Sequence, residues 1–367
     1  MQYNVSVVKC STYNYSKLLT KIECAITLLG GIKRFIKKGE KILLKPNLLS
    51  PKSPEKACTT HPEFLRAIIT VVKEAGAYPY VGDSPAIHSI EKVASVSGIK
   101  KICEQENVPI ISFKNFIEIK NKDGKLVKSF KIAKAITEFD KIINIPKLKN
   151  HSLTMITVAV KNLFGLIPGI RKGQYHLRFQ DPYRFSQMLI DLNMIIKPVI
   201  TIVDGIVGME GDGPAAGAPK RIGVIVAGTD TVSVDYICAL IMNYNPDEIP
   251  IIKAAREANM GGFSAKMINL RGVKLEEVVS KNFKTLNPPA SKGFISQIIG
   301  SISRNLIIKK PLINKQKCVG CAECVKVCPS HTITIKEKKA NINYKNCIRC
   351  YCCFEICRFG AIKLTRF

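Results

Sequence analysis

Tryptophan is absent from this chain, and aromatic residues make up only 7% of its 367 positions. Single-strand nucleic-acid surfaces stack bases on aromatics set among basic side chains, and no such interleaving or recognised binding motif occurs. Nucleic acid is therefore the partner the sequence supports least. Acidic residues are scarce as well: 28 Asp and Glu stand against 56 Lys and Arg, a net charge of +28. The excess runs along the whole chain. It fits an anionic small molecule or an acidic protein partner, and it also fits a general lysine-rich habit. No run of 18 or more apolar residues exists, so no transmembrane segment is expected. The opening MQYNVSVVKC lacks the basic-then-apolar pattern of a signal peptide, and the expected location is cytoplasmic.

What the chain has in excess is cysteine. Nine of its fourteen cysteines fall in the last fifty residues. The other five (Cys10, Cys24, Cys58, Cys103, Cys238) are scattered singly and read as small buried residues. A disulfide framework would not cluster in this way. CVGCAECVKVCP at 318–329 and CIRCYCCFEICR at 347–358 each have C-x2-C-x2-C-x3-C spacing. Short intervals of this kind let one tight loop wrap three thiolates around a cubane. Paired CxxC units also suit a four-cysteine zinc site, but two full quartets point to iron–sulfur clusters.

The quartets resemble bacterial two-cluster ferredoxins, in which the fourth cysteine of each motif serves the other cluster. That resemblance implies two 4Fe-4S clusters. It assigns Cys318, Cys321, Cys324 and Cys357 to one, and Cys347, Cys350, Cys353 and Cys328 to the other. Cys352 is a spare thiol. The first motif is followed by Pro329 and the second by Arg358, a departure that alters the charge beside one cluster. Residues 311–367 carry eleven Lys and Arg against three Asp and Glu, a balance that favours an acidic electron donor such as a ferredoxin or flavodoxin.

Residues 1–280 alternate strand-like and helix-like stretches. Strands are expected at 3–9, 41–46, 78–82, 108–113, 141–146, 199–205 and 221–228. Helices are expected at 15–29, 61–76, 152–164, 182–197, 229–242 and 249–259, with a peripheral hairpin around 116–131. Near-continuous apolar strands between amphipathic helices imply an α/β fold with a mostly parallel sheet covered by helices. Beyond it, a linker at 281–310 is expected to hold an amphipathic helix (294–310), and a small α+β ferredoxin-like domain occupies 311–367.

Polar residues gather where the strands end. Lys45 and Asn47 follow one strand, Asp83 and Ser84 the next, Lys147 and His151 another. Asp204, Glu210, Asp212 and Asp230 follow the last two. Carboxyl ends of parallel strands share one edge, where ligands bind. The stretch 205–219 has five glycines by residue 217 and can present backbone N–H groups to an anion. Its acids, with Asp204, form a candidate site for a divalent metal. The segment LFGLIPGIRKGQYH (163–176) adds Lys172 and His176. His61 precedes Pro62 and reads as a helix start.

KPN (45–47), TTHPE (59–63), GDSP (82–85), PKLKNHSLTMITVAVKNLFGLIPG (146–169) and DGIVGMEGDGP (204–214) together resemble the domain-of-unknown-function 362 family. Its members often carry a C-terminal two-cluster ferredoxin. The resemblance supplies an architecture rather than a reaction. IPGIRKGQYH (167–176) is also similar to a lysine, Pro-Gly and histidine segment of nickel-pincer lactate racemases.

The leading expectation is an iron–sulfur reductase. Lys45, Asn47, Ser84, Lys147, Lys172, Glu210 and Asp212 would bind an anionic substrate or cofactor. His151, Lys161, His176, Asp204 and Asp83 would carry the chemistry. Two other classes remain: an electron carrier or maturation accessory that docks on a partner enzyme, and a non-redox isomerase, racemase or ligase with structural clusters.

Overall fold

The computed structural model describes residues 2–169, 171–288 and 309–365. The amphipathic helix expected at 294–310 lies almost entirely outside the described residues.

The strands of the main body are β1 (Tyr3–Lys9), β2 (Lys41–Pro46), β3 (Tyr78–Asp83), β4 (Ile110–Ser112), β5 (Phe116–Lys120), β6 (Ser129–Ala133), β7 (Lys141–Ile145), β8 (Lys147–His151), β9 (Met155–Thr157), β10 (Ile200–Glu210), β11 (Ala218–Gly228) and β12 (Ile268–Gly272). Ten of them form one sheet in the order β12-β1-β11-β10-β7-β2-β3-β4, with β8 on β10 and β9 on β8. From β10 to β4 every pairing is parallel, whereas β11 runs antiparallel to both neighbours. The remaining pair, β5 and β6, is the expected peripheral hairpin.

Alternation along the strands feeds two apolar layers. On β2, Ile42 and Leu44 join one cluster and Leu43 the other. Helices α1 (Tyr15–Thr27), α2 (Pro62–Glu74), α3 (Ile90–Val96) and α4 (Ile99–Gln105) serve the first cluster. Helices α5 (Ala159–Asn162), α7 (Pro182–Ile195), α8 (Thr231–Ile241) and α9 (Pro250–Glu257) serve the second, with α6 (Arg171–Arg178) at its edge. The long helices start at side-chain caps. His61 accepts from the Glu63 amide, Asp181 from Tyr183 and Arg184, and Asp230 from Ser233. Proline at the first position of α2 and α7 fits an end whose N–H has no helical partner.

Two sequence expectations need correction here. Residues 152–164 are not one helix but a turn, the short strand β9, α5 and a 3-10 turn at Leu163–Leu166. An apolar run rich in Ile, Val and Thr does not distinguish a buried strand from a buried helix. The β8–β9 pairing decides the matter, with Lys149 opposite Thr157 and His151 opposite Met155. The glycine-rich stretch is likewise mostly strand, since β10 runs on to Glu210 and β11 returns from Ala218. At Gly208 a β-carbon would meet Ile222 at 2.7 Å and the Leu148 carbonyl at 2.8 Å, so this glycine lets β8 pack close on β10. Among the scattered cysteines, Cys24 is exposed and the other four are buried.

The C-terminal module pairs β13 (Lys310–Ile313) with β16 (Ile362–Thr365), and β14 (Ile333–Lys336) with β15 (Lys339–Ile342). Two five-residue helices, α10 (Glu323–Val327) and α11 (Cys352–Ile356), pack around a separate apolar cluster rich in cysteine. No helix among the described residues is long and apolar enough to cross a membrane.

Candidate functional site

A cavity of about 440 Å³ opens where the carboxyl ends of β2, β3 and β8 meet the C-terminal module. Its floor is built from strand ends. Lys45 is fully buried and pairs with Asp83 at 2.8 Å. Asp83 also accepts from the amides of Leu48 (2.7 Å) and Ser84 (2.8 Å), which locks the carboxylate in place. Lys149, on β8, donates to Asn47 Oδ1 (2.7 Å) and to the Cys58 carbonyl (2.8 Å). Asn47 in turn donates to Asn162 Oδ1.

The walls come from α5, α6 and the β8–β9 turn. Asp235 on α8 accepts from the amides of Ala159 and Val160, which fixes α5 and with it Lys161. Lys161 has no hydrogen-bond acceptor among the described residues; its ammonium lies 5.8 Å from the Phe164 ring centroid and 5.9 Å from that of Phe185. Lys172 donates to the carbonyls of Ser84 and Ile167, both at 2.6 Å. His176 stacks on Phe185 with centroids 4.4 Å apart, and its buried Nδ1 has no partner among the described residues. His151 Nδ1 accepts from the amides of Leu153 (3.1 Å) and Thr154 (3.4 Å). A neutral His151 therefore carries its proton on Nε2. That atom faces Glu355 Oε1 at 3.2 Å without the alignment of a hydrogen bond.

Burial dominates the titration of these groups. It depresses Lys45, against the pull of Asp83, and lowers Lys149 to about 8 and Lys172 to about 7. Lys161 is lowered by burial and partly restored by Glu355. His151 and His176 both fall to about 4 for the same reason and are neutral at pH 7. Burial alone would raise Glu355, but the basic groups around it hold its carboxyl below the usual range.

The roof belongs to the C-terminal module and includes Lys326, Cys328, Pro329, His331, Cys352 and Glu355. Two much smaller cavities lie within the module. One is lined by Cys318, Cys321, Cys324 and Cys357, the other by Cys328, Cys347, Cys350 and Cys353. The cysteines lining each cavity are the interchanged quartets that the ferredoxin resemblance implies. Backbone amides already point at three sulfurs: Ala340 at Cys318 (3.3 Å), Ala361 at Cys357 (3.3 Å) and Thr332 at Cys328 (3.4 Å). Such N–H···S donors suit thiolates that share charge with a cluster. Cys352 lines the large cavity and neither small one.

Several expected site residues lie elsewhere. Lys147 and Asp204 pair with each other at 2.8 Å, fully buried. Tyr13 OH donates to Asp204 Oδ1 (2.8 Å), the His61 amide donates to Oδ2 (2.9 Å), and Tyr13 stacks on the His61 ring. This network is complete and stands outside the cavity. Glu210 accepts from the Lys284 amide, and Asp212 is exposed. Asp204, Glu210 and Asp212 each have separate surroundings, and no group of three His, Cys, Asp or Glu fit to hold one ion occurs among the described residues. Sequence reasoning missed Glu355, Asn162 and the placement of Cys352. Only the docking of the module brings the first and last to the site.

The family description "domain of unknown function (DUF362)" matches residues 42–240, more than half of the chain. A thylakoid-associated protein of Synechocystis sp. is 34% identical over 268 residues, which span 73% of this chain and 83% of that protein. The chain belongs to the DUF362 family. Residues 310–358 of this DUF362 protein also match a 4Fe-4S dicluster domain, so it is an iron–sulfur protein. The lactate racemase apoprotein of Thermoanaerobacterium thermosaccharolyticum is similar with a TM-score of 0.45 and 12% identity. The match covers 66% of this chain and 57% of the racemase.

Proposed function

We propose that this DUF362 protein is an iron–sulfur reductase whose cavity holds an anionic substrate or cofactor. One observation carries the reading: Cys328 stands in the wall of both the large cavity and a cysteine-lined one. Cys318, Cys321, Cys324 and Cys357 would hold one 4Fe-4S cluster, and Cys328, Cys347, Cys350 and Cys353 the other. When bound, such clusters supply single electrons at low potential.

The chain's own residues prepare the site for an anion. Lys161 has no acceptor among the described residues and lies half-buried in the cavity wall, an arrangement that a bound carboxylate or phosphate would complete. Lys172 and the Lys45–Asp83 pair fix the floor, while Lys149 orients Asn47. Neutral His151, with its proton on Nε2, and His176, with an open Nδ1, are placed to donate to or accept from the bound molecule. The volume is in the range of small-molecule sites and exceeds the needs of a bare inorganic anion.

The test uses anaerobically reconstituted protein. Iron and sulfide should reach the content of two 4Fe-4S clusters. Carboxylates and phosphates should perturb the EPR signal of the reduced protein, and Lys161→Met should abolish the effect. If no such anion changes that signal, the reductase reading falls. Turnover that survives cluster loss would instead favour the non-redox class.

A further inference from the structure

We infer that the outer face of the C-terminal module, around Cys321, is the docking surface for a small acidic one-electron carrier protein, an inference that rests on the reductase reading. The two cysteine quartets differ in exposure. Cys328 shares a wall with the large cavity, whereas Cys321 is exposed to solvent. Lining the same small cavity as Cys321 are Val319, Phe359 and Ile335, large apolar residues that are 55%, 42% and 37% exposed. Three such side chains over one ligand set form a patch of the kind that marks a contact surface.

Charge says which partner fits. The module has eleven Lys and Arg and three acids. Two of those acids face inward. Glu355 lies against His151 of the main body, and Glu323 lies 3.6 Å from His88 and 3.3 Å from Arg358. Glu337 is the one that remains exposed, between exposed Lys336 and Lys338 at the tip of the β14–β15 hairpin. The Lys338 carbonyl packs directly on Gly320, beside Val319. An apolar centre beside a basic hairpin tip is complementary to an acidic partner. The exchange is of one electron: the carrier is oxidised, the module is reduced, and no bond forms or breaks.

The experiment titrates the loaded, oxidised full-length protein with an oxidised acidic ferredoxin and reads the dissociation constant. Binding should weaken on the order of tenfold between low and physiological salt. Phe359→Glu should weaken it at least tenfold, and so should Lys336→Glu with Lys338→Glu, which leaves the cysteine loops untouched. Iron content and the EPR signal of the reduced protein confirm that the variants are loaded. Reduction by the ferredoxin should slow in proportion, while reduction by a small dye should not. Ferredoxin binding that is unaltered in all variants would overturn the inference, as would binding of anionic vesicles in place of ferredoxin. Neither outcome touches the cavity, so failure here is distinct from failure of the anion site.

Discussion

Two glycines on the same cavity should respond to the same substitution with opposite signs. Gly165 lies in the 3-10 turn after α5, and a β-carbon there would come within 2.6 Å of Lys45 Nζ and 2.7 Å of Lys45 Cε, and closer still to Asp83 Oδ1. Gly173 lies inside α6, where the nearest atom to a β-carbon is Pro329 Cβ at 3.7 Å. Gly173→Ala should stabilise the protein by about 0.5–1 kcal/mol, the ordinary gain of alanine over glycine in a helix. Gly165→Ala gains a similar backbone term but must overpack a rigid site, at about 1–3 kcal/mol. It also forces apart a buried ion pair whose full loss costs about 3–5 kcal/mol. Allowing partial relaxation, the net loss is about 2–4 kcal/mol. Denaturant midpoints of the loaded protein measure both variants. Hydrogen exchange locates the damage, because the Leu48 and Ser84 amides that bond to Asp83 should lose protection. If Gly165→Ala is as stable as the parent and keeps both amides protected, the ion pair does not set the shape of the floor.

Lys161→Met should leave the fold as stable or more so, since it removes a half-buried amine with no acceptor among the described residues, and should weaken carboxylate binding at least tenfold by calorimetry. Lys172 sets a pH dependence. Its folded pKa of about 7 lies below the ordinary lysine value, so the unfolded chain binds more protons between about pH 7 and 10.5, and stability rises with pH across that window. A bound anion favours the charged form, so anion affinity should fall as pH rises above about 7, with proton uptake on binding; Lys172→Met should flatten both profiles. Asp204→Asn should cost about 3–5 kcal/mol in unfolding experiments by stranding Lys147, yet leave anion affinity unchanged. Glu355→Gln should tighten carboxylate binding, because it removes the carboxylate that faces Lys161 and competes with an incoming anion.

Much of this arrangement was legible in the chain. Strand-end logic placed Lys45, Asn47, Asp83, Ser84 and His151 together, and they do line one cavity, because carboxyl ends of parallel strands converge. The same logic misled for Lys147 and Asp204. Lys147 opens β8 and His151 closes it, and at about 3.3 Å per residue the two are separated by roughly 13 Å. The first therefore meets Tyr13 and His61, and the second meets the module. The run at 152–164 looked helical because it is buried on all sides, and burial erases the periodicity that separates strand from helix. Glu355 was invisible for another reason: nothing local distinguishes an acid inside a cysteine motif from any other, and its role depends on a contact across two hundred residues.

Cofactor loading and site formation are coupled in this architecture. Helices α10 and α11 have five residues each, far too few to persist on their own. Their cysteines lie at the intervals that wrap a cluster, so the ligated thiolates supply the order the sequence lacks, as in other small metal-dependent folds. Cys352 and Glu355 ride on α11, and Cys328 caps α10. The roof of the cavity is therefore as ordered as the quartets that hold it. A chain that has lost its iron would retain Lys45 and Asp83 on the sheet edge and Lys161 on α5 but lose the carboxylate and sulfur-bearing wall opposite them. Anion binding and reducibility should then disappear together, although no anion-binding lysine on the sheet edge touches a cysteine that would hold iron.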